Sequence, residues 1–317
     1  MSEEKKLMIY FHVGPHKTGT TSIQKFLVKH FGSHEPTTIW YPTHNTLGAA
    51  RAGHGKLADF FKQSTEGYRP VRGLKRIEAI LKQARDAKVE KLLISSENFT
   101  FVSDSDLRLI RDLTTDCEFN LLITASPLIK RLASIWQANV KRQHIEPIES
   151  ANSLLSKYRG YGPDFVADMI DVLRPDSTTL IVSDPKAEPE RLLQDFFAAA
   201  GLDWPEKSTA DDTKKLNTAL DYWSAELLRE ANRLMYVAND GIVMPDDEYR
   251  EFRKKMQGLF RSDEWQAVFP KRDLQLPQES LDALRQTYSG MRADLESLQI
   301  CGKLKIVGDL DVVFDQL

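Results

Sequence analysis

Two glycines, Gly14 and Gly19, bracket a stretch unusually dense in a cation and hydroxyls: Lys17, Thr18, Thr20, Thr21 and Ser22, within "GPHKTGTTS". A strand that ends in such a glycine-containing turn and opens a helix gathers several backbone N–H groups into one concavity. The helix adds the partial positive charge of its N-terminus, so the loop suits an anion. The nucleotide-binding P-loop is spelled GxxxxGK[ST], with the lysine directly after the second glycine. Here Thr20 holds that position, and Lys17 lies two residues before Gly19. Moving the ammonium moves its target, to the far end of the anion where a bond would be broken. The plainer alternative is a capped strand–helix turn with a surface lysine.

Such a loop needs a strand before it and a helix after it, and "IYFHVGPHKTGTTSIQKFL" provides both, from Ile9 to Leu27. Short apolar strands are expected at Leu7–Val13, Thr38–Tyr41, Lys91–Ser95, Phe119–Thr124 and Thr178–Val182. "LMIYFHV", "KLLIS" and "FNLLIT" are nearly continuous apolar runs, the pattern of strands buried on both faces of a parallel sheet. Helices lie between them. One carries Ile23, Phe26, Leu27 and Phe31, and another Leu128, Leu132, Ile135, Trp136 and Val140. A third, with Leu192, Leu193, Phe196 and Phe197, stops at Gly201, a usual helix C-cap. Alternating strand and helix predicts a three-layer α/β/α fold with a central parallel sheet and right-handed crossovers. From about Asn217 the pattern turns helical, first through Leu220, Trp223, Leu227, Leu228, Ala231, Leu234 and Met235, then around Tyr249–Phe260 and Ser280–Leu298. The expected division is an α/β core over 1–215 and a helical extension over 216–317, joined by the polar stretch Asp203–Lys215.

Composition sets outer bounds. With 317 residues, 41% hydrophobic and 28% charged, the chain is long enough to bury a real core. A net charge of −3 gives it no general affinity for polyanions, so nucleic acid is not an expected partner and any grip on a phosphorylated ligand must be local. The apolar run at the start is too short for a signal peptide or membrane anchor, so a cytoplasmic location and no membrane partner are expected. Cys117 and Cys301 are too few for a disulfide framework or a zinc cluster. No metal-ligand spacing, GxSxG elbow or Cys–His nucleophile signature is present.

At "HVGPHKTGTTSIQ" the chain resembles the sulfotransferases that use 3′-phosphoadenosine 5′-phosphosulfate (PAPS), especially their bacterial, carbohydrate-type branch. The resemblance implies PAPS as donor and 3′-phosphoadenosine 5′-phosphate (PAP) as product. It implies a phosphosulfate loop formed by Pro15, His16, Lys17, Thr18, Gly19, Thr20, Thr21 and Ser22. Lys17 matches the family's catalytic lysine, which stabilises charge on the leaving phosphate. His12 and His16 are typical of the branch. The acceptor implied is a hydroxyl of a carbohydrate or small metabolite, and the chemistry needs no metal.

The family's 3′-phosphate clamp is an arginine ending the third core strand and a serine eight residues later. In "NLLITASPLIKRLASIWQANVKR" the serine is Ser134, but the arginine position is Ser126. Serine offers only a neutral hydrogen bond where arginine would be bidentate. Ser126 before Pro127 also reads as an N-cap followed by proline at the first helical position. Lys130, Arg131, Lys141 and Arg142 are candidate substitutes for the missing charge, or a solvated face. The second core strand ends in "ISSENF", which brings Glu97 to the carboxyl edge of the sheet, where ligands bind in parallel α/β folds. Glu97 is a candidate base for the acceptor hydroxyl, or a capping or ion-paired glutamate. His54, in "NTLGAARAGHGKLADFF", competes for that role, with His44 behind it. Lys214, Lys215 and Asn217 match a basic segment that relatives bring over the donor. Trp40, Tyr41, Trp136 and Tyr161 are expected in the core rather than stacked on a ligand. Two rival functions remain open: an ATP-using P-loop phosphotransferase, which wants a lysine after Gly19, and a non-catalytic descendant that binds a nucleotide or a partner.

Overall fold

The computed structural model describes residues 6–47, 52–63, 68–147, 165–188, 190–205, 220–269, 278–288 and 290–314. Seven strands form one all-parallel sheet flanked by helices. They are β1 (Met8–Val13), β2 (Gly32–Ser33), β3 (Ile39–Pro42), β4 (Lys91–Ser95), β5 (Glu118–Ala125), β6 (Ser177–Val182) and β7 (Lys305–Val307), in the order β2-β3-β4-β1-β5-β6-β7. The chain leaves β1, runs outward to β2 at the edge, returns through β3 to β4 beside β1, and then crosses to β5 on β1's other side. The order therefore reverses at β1, and the crevice beyond the carboxyl ends of β1, β4 and β5 is the natural ligand position in such a sheet.

Alternation along β1 explains its double burial. Tyr10 faces α1 (Thr20–Phe31) and α7 (Arg191–Ala199), where it meets Ile23, Phe26, Leu27, Phe196 and Phe197 together with Leu93, Leu122 and Ile181 from neighbouring strands. Phe11 points to the other face, its ring 4.6 Å from Phe99 and 5.5 Å from Phe119. Helix α7 ends as its glycine predicts. Gly201 takes φ 57, and Leu202 N–H donates to Phe197 O at 2.8 Å, the long-range bond of a Schellman cap.

Among the described residues the remaining helices are α2 (Gly55–Asp59), α3 (Pro70–Asp86), α4 (Asp104–Asp112), α5 (Leu128–Val140), α6 (Phe165–Leu173), α8 (Tyr222–Ala238), α9 (Asp246–Phe260), α10 (Asp263–Val268), α11 (Gln278–Tyr288), α12 (Met291–Ile300) and α13 (Asp311–Phe314), with a 3₁₀ turn at Glu97–Phe101. The five expected strands form within a residue or two of their expected bounds. The C-terminal stretch is not purely helical: Lys305–Val307 pairs with β6 as the edge strand β7. The helix expected over Ser280–Leu298 is two helices, α11 and α12.

The chain divides into two compact units that do not follow a single cut at 215/216. The first holds Met1–Pro127, Tyr158–Leu216 and Thr287–Asp315, and the second Leu128–Lys157, Asn217–Gln286 and the last two residues. Within the second unit the end of α5 is clasped by side chains from far along the chain. Asn232 donates to Val140 O (2.8 Å) and His144 O (3.1 Å), Arg229 to Ile145 O (3.0 Å), and Arg253 to Lys141 O (2.9 Å). The Tyr249 hydroxyl lies 3.0 Å from both Val140 O and Asn232 Oδ1, and the Gln137 amide pairs with the N–H and C=O of Leu220. These donors satisfy carbonyls that a helix end leaves unpaired. Replacing Asn232, which is buried, by alanine should therefore destabilise the chain by about 1–3 kcal/mol. Urea unfolding of the full chain measures this, and a loss below a few tenths of a kcal/mol would contradict the clasp.

Candidate active site at the carboxyl edge of the sheet

β1 is hydrogen-bonded on both sides, so the chain must leave the sheet at Gly14. It does so over the end of β5, where a Cβ on Gly14 would collide with Thr124 Oγ1. Thr18 braces the same point. Its buried hydroxyl donates to Pro15 O (2.9 Å) and pairs with Thr124 Oγ1 (2.8 Å). The Thr18 side chain thus holds the loop itself.

Two residues of the loop take left-handed conformations, Lys17 at φ 71 and Gly19 at φ 89. Gly19 meets the need without strain, and a side chain there would collide with Leu192. Lys17 has a Cβ, so its conformation costs about 1 kcal/mol or more, and such strain gathers at functional sites. Ser126 helps to hold it, with its hydroxyl donating to Lys17 O at 3.3 Å. The hydroxyl expected to cap α5, which begins at Leu128 after Pro127, thus also reaches the loop. Lys17 is exposed, Pro15 buried, and His16, Thr21 and Ser22 half-buried. Gly19 is the N-cap of α1 and brings no side-chain cap, while Thr20 and Thr21 open the helix with N–H groups that have no acceptor in their own helix. The local field favours an anion there.

The carboxylate comes from the neighbouring strand. His12 on β1 pairs with Ser95 on β4, and Ser96 then caps the 3₁₀ turn through Asn98 N–H (3.1 Å), so that Glu97 emerges beside the loop. Glu97 Oε2 accepts from Gln24 Nε2 at 3.0 Å, and Oε1 lies 3.8 Å from His16 Nδ1. Around this pair the His16 ring approaches Phe101 (5.3 Å between centroids). Lys62 Nζ lies over the Phe101 ring, 5.2 Å from its centroid, and 3.8 Å from Asp59, to which Asn98 donates at 3.1 Å. The structure thus joins His16 and Glu97 at one edge, as the sheet topology implies.

His54 does not serve as the expected base. It is fully buried, its Nδ1 accepts from Ser95 N–H (2.9 Å), and its Nε2 donates to Pro42 O (2.8 Å), so no lone pair is left for an acceptor proton. Burial pushes its pKa down to about 4, against the upward pull of the bond to Pro42 O. His54 is a neutral staple between the ends of β3 and β4. Buried His12 is similar, with Nδ1 2.8 Å from Ser95 Oγ and a pKa pushed by burial down to about 3. His44 is exposed, its ring nitrogen 2.9 Å from Asn45 Nδ2.

Ser134 lies half-buried on α5 in the second unit, as do buried Arg131 and exposed Lys130, followed by half-buried Lys141 and exposed Arg142. Trp40, Tyr41 and Trp136 are core residues, as expected. Lys214, Lys215, Asn217 and Tyr161 lie outside the described residues. Sequence reasoning missed Gln24, Thr124, Ser95 and Gly53. The signal for Gln24 was its place on the apolar face of α1, one turn after Thr20, where a buried amide needs a partner. Among the described residues no cluster of three metal-ligating side chains occurs, and no helix is long and apolar enough to cross a membrane. Comparison with protein-family models, curated proteins and solved structures returns no match to this chain.

The buried histidines predict acid sensitivity. Their folded pKa values, about 4 and about 3, lie below the unfolded value of about 6.5. Their stabilisation is complete above about pH 6.5 and is lost as pH falls towards 4 and 3, with a slope of up to about 1.4 kcal/mol per pH unit for each histidine. Urea midpoints should be level from pH 7 to 8 and fall steeply between pH 6 and 4.5. His54→Ala should lower stability at pH 7 by about 2–4 kcal/mol and flatten that fall. An unchanged acid slope in His54→Ala would contradict the neutral staple.

Proposed function

We propose that the protein is a sulfotransferase that moves a sulfuryl group from PAPS to a hydroxyl of a carbohydrate or small metabolite. In this reading the sheet and its helices form a three-layer α/β/α core with a P-loop-like phosphosulfate loop. The observation that carries it is Lys17: an exposed lysine, held in a left-handed conformation, directly before the uncapped start of α1 and beside a strand that delivers a carboxylate.

The loop fits the phosphosulfate end of the donor. Its glycines allow close backbone approach, and the N–H groups of Thr20 and Thr21, with the half-buried hydroxyls of Thr21 and Ser22, are donors for anionic oxygens. At the 3′-phosphate end the fit is weaker, because the Ser126 hydroxyl is engaged by Lys17 O and could add only a neutral hydrogen bond. When bound, the donor supplies a sulfuryl group attached to a good phosphate leaving group. Lys17 neutralises the negative charge that collects on the departing oxygen, a preorganised electrostatic contribution. Glu97 takes the proton of the acceptor hydroxyl. The Ser126 contact also favours a second reading, nucleotide binding without transfer, and ATP-dependent phosphotransfer is separated from both by its need for Mg²⁺.

Calorimetric titration tests the reading. PAP should bind without Mg²⁺ and in preference to ATP. Lys17→Gly keeps the left-handed backbone and removes the ammonium, and it should weaken PAP binding about 10- to 100-fold. Absence of PAP binding, or ATP binding that requires Mg²⁺, would overturn the proposal. PAP binding with no PAP release from PAPS across a panel of hydroxylated acceptors would instead support the non-catalytic reading.

A further inference from the structure

We infer that Gln24 is the positioning residue that divides the work between the two oxygens of Glu97, and that Gly53 holds Gln24 to that task. The inference rests on the reading of Glu97 as the base.

The two carboxylate oxygens are treated differently. Oε2 accepts the Gln24 amide at 3.0 Å, whereas Oε1, at 3.8 Å from His16, lies beyond a hydrogen bond. The oxygen turned to the loop is therefore the one left to receive a proton. Gln24 suits this role in three ways. It sits on α1, whose Ile23, Phe26 and Leu27 are fixed in the core. It is 4% exposed, so its amide has little water to exchange for the carboxylate. It is also neutral: it orients the carboxylate through one oxygen, without the full charge of an arginine that would bind both.

Gly53 closes the arrangement. A methyl group there would lie 2.5–2.7 Å from Oε1, Cδ and Nε2 of Gln24, so the backbone at 53 rests directly on the amide. The next residue is pinned to β4 in both directions: His54 N–H donates to Ser95 O at 2.7 Å, and Ser95 N–H donates to His54 Nδ1 at 2.9 Å. A continuous chain of contacts thus runs from the sheet through His54 and Gly53 to Gln24 and Glu97. The other titratable groups that face this region are His16 from the loop, Tyr41 at the end of β3, and Asp59 and Lys62 at the end of α2.

The experiment follows the Glu97 carboxyl carbon and the Gln24 side-chain amide by NMR at one neutral pH, assigned by their loss in Glu97→Gln and Gln24→Leu, with PAPS turnover and PAP affinity measured alongside. Gly53→Ala deletes no hydrogen-bonding group; its methyl displaces the Gln24 amide from Glu97, so this variant carries the test should Gln24→Leu fail to fold. Glu97→Gln should shift the Gln24 amide resonances, and Gln24→Leu and Gly53→Ala should each shift the Glu97 carboxyl resonance. Each of the two should lower kcat about 10-fold, with PAP affinity within twofold of the wild type, and should cost nothing further in a Glu97→Gln background. Unshifted resonances, or the same loss of turnover in the Glu97→Gln background, would overturn the inference. A wild-type protein that binds no PAP would remove the sulfotransferase reading and leave the resonances to decide the contact of Gln24 with Glu97 and Gly53.

Discussion

Gly14 and Thr124 mark the place where the backbone leaving one strand passes over the side chain ending its neighbour, with no room for another carbon atom. Much of the site follows from that crossing. Because β1 is paired on both sides, the chain can leave only upward, over β5, and Thr18 fastens it there through Thr124 and Pro15. The turn is then so short that Lys17 and Gly19 must both adopt left-handed backbone angles before α1 begins. The origin of α1 is fixed in turn, and with it the residues it buries: Ile23, Phe26 and Leu27 against the sheet, and Gln24 towards Glu97. A requirement of packing at one glycine thereby sets the position of a lysine, a helix N-terminus and an amide.

Ser95 plays a comparable part for the neighbouring strand. Its N–H and C=O engage His54, its hydroxyl engages His12, and His54 reaches on to Pro42. Polar atoms buried at the end of a sheet must find partners, and His54 accepts the Ser95 N–H only by staying neutral. The knot fixes where β4 stops, which decides where Glu97 can be. The histidines support the site without titrating in it.

The strands and the loop were legible in the sequence for direct physical reasons. Apolar runs such as "KLLIS" mark doubly buried strands, and the spacing of Gly14 and Gly19 marks a turn onto a helix. β2 and β7 were not legible, since two or three residues at a sheet edge carry no period and little buried apolar surface. His54 misled because a histidine's chemistry depends on burial and on what holds its two nitrogens, and neither is written locally. Ser126 reads locally as a cap because its neighbour is proline, but its bond to Lys17 O, 109 residues earlier, could not be read from that segment. Gln24 and Glu97 are each ordinary in their own segments, and only the pairing of β1 with β4 makes them a pair.

The clasp on α5 has a consequence for how the chain is made. The carbonyls at the end of that helix are satisfied by Asn232, 92 residues later than Val140, and by Tyr249, 109 residues later. A chain emerging from the ribosome has completed β1 to β6 well before either side chain exists. Until then, fully buried Trp136 has no finished unit to enclose it, and the end of α5 must rely on water. β7 arrives later still, completing an edge of the sheet with residues 305–307. The order of synthesis and the order of assembly therefore diverge. Contacts this distant in sequence are reached slowly, because long loops must close before they are rewarded.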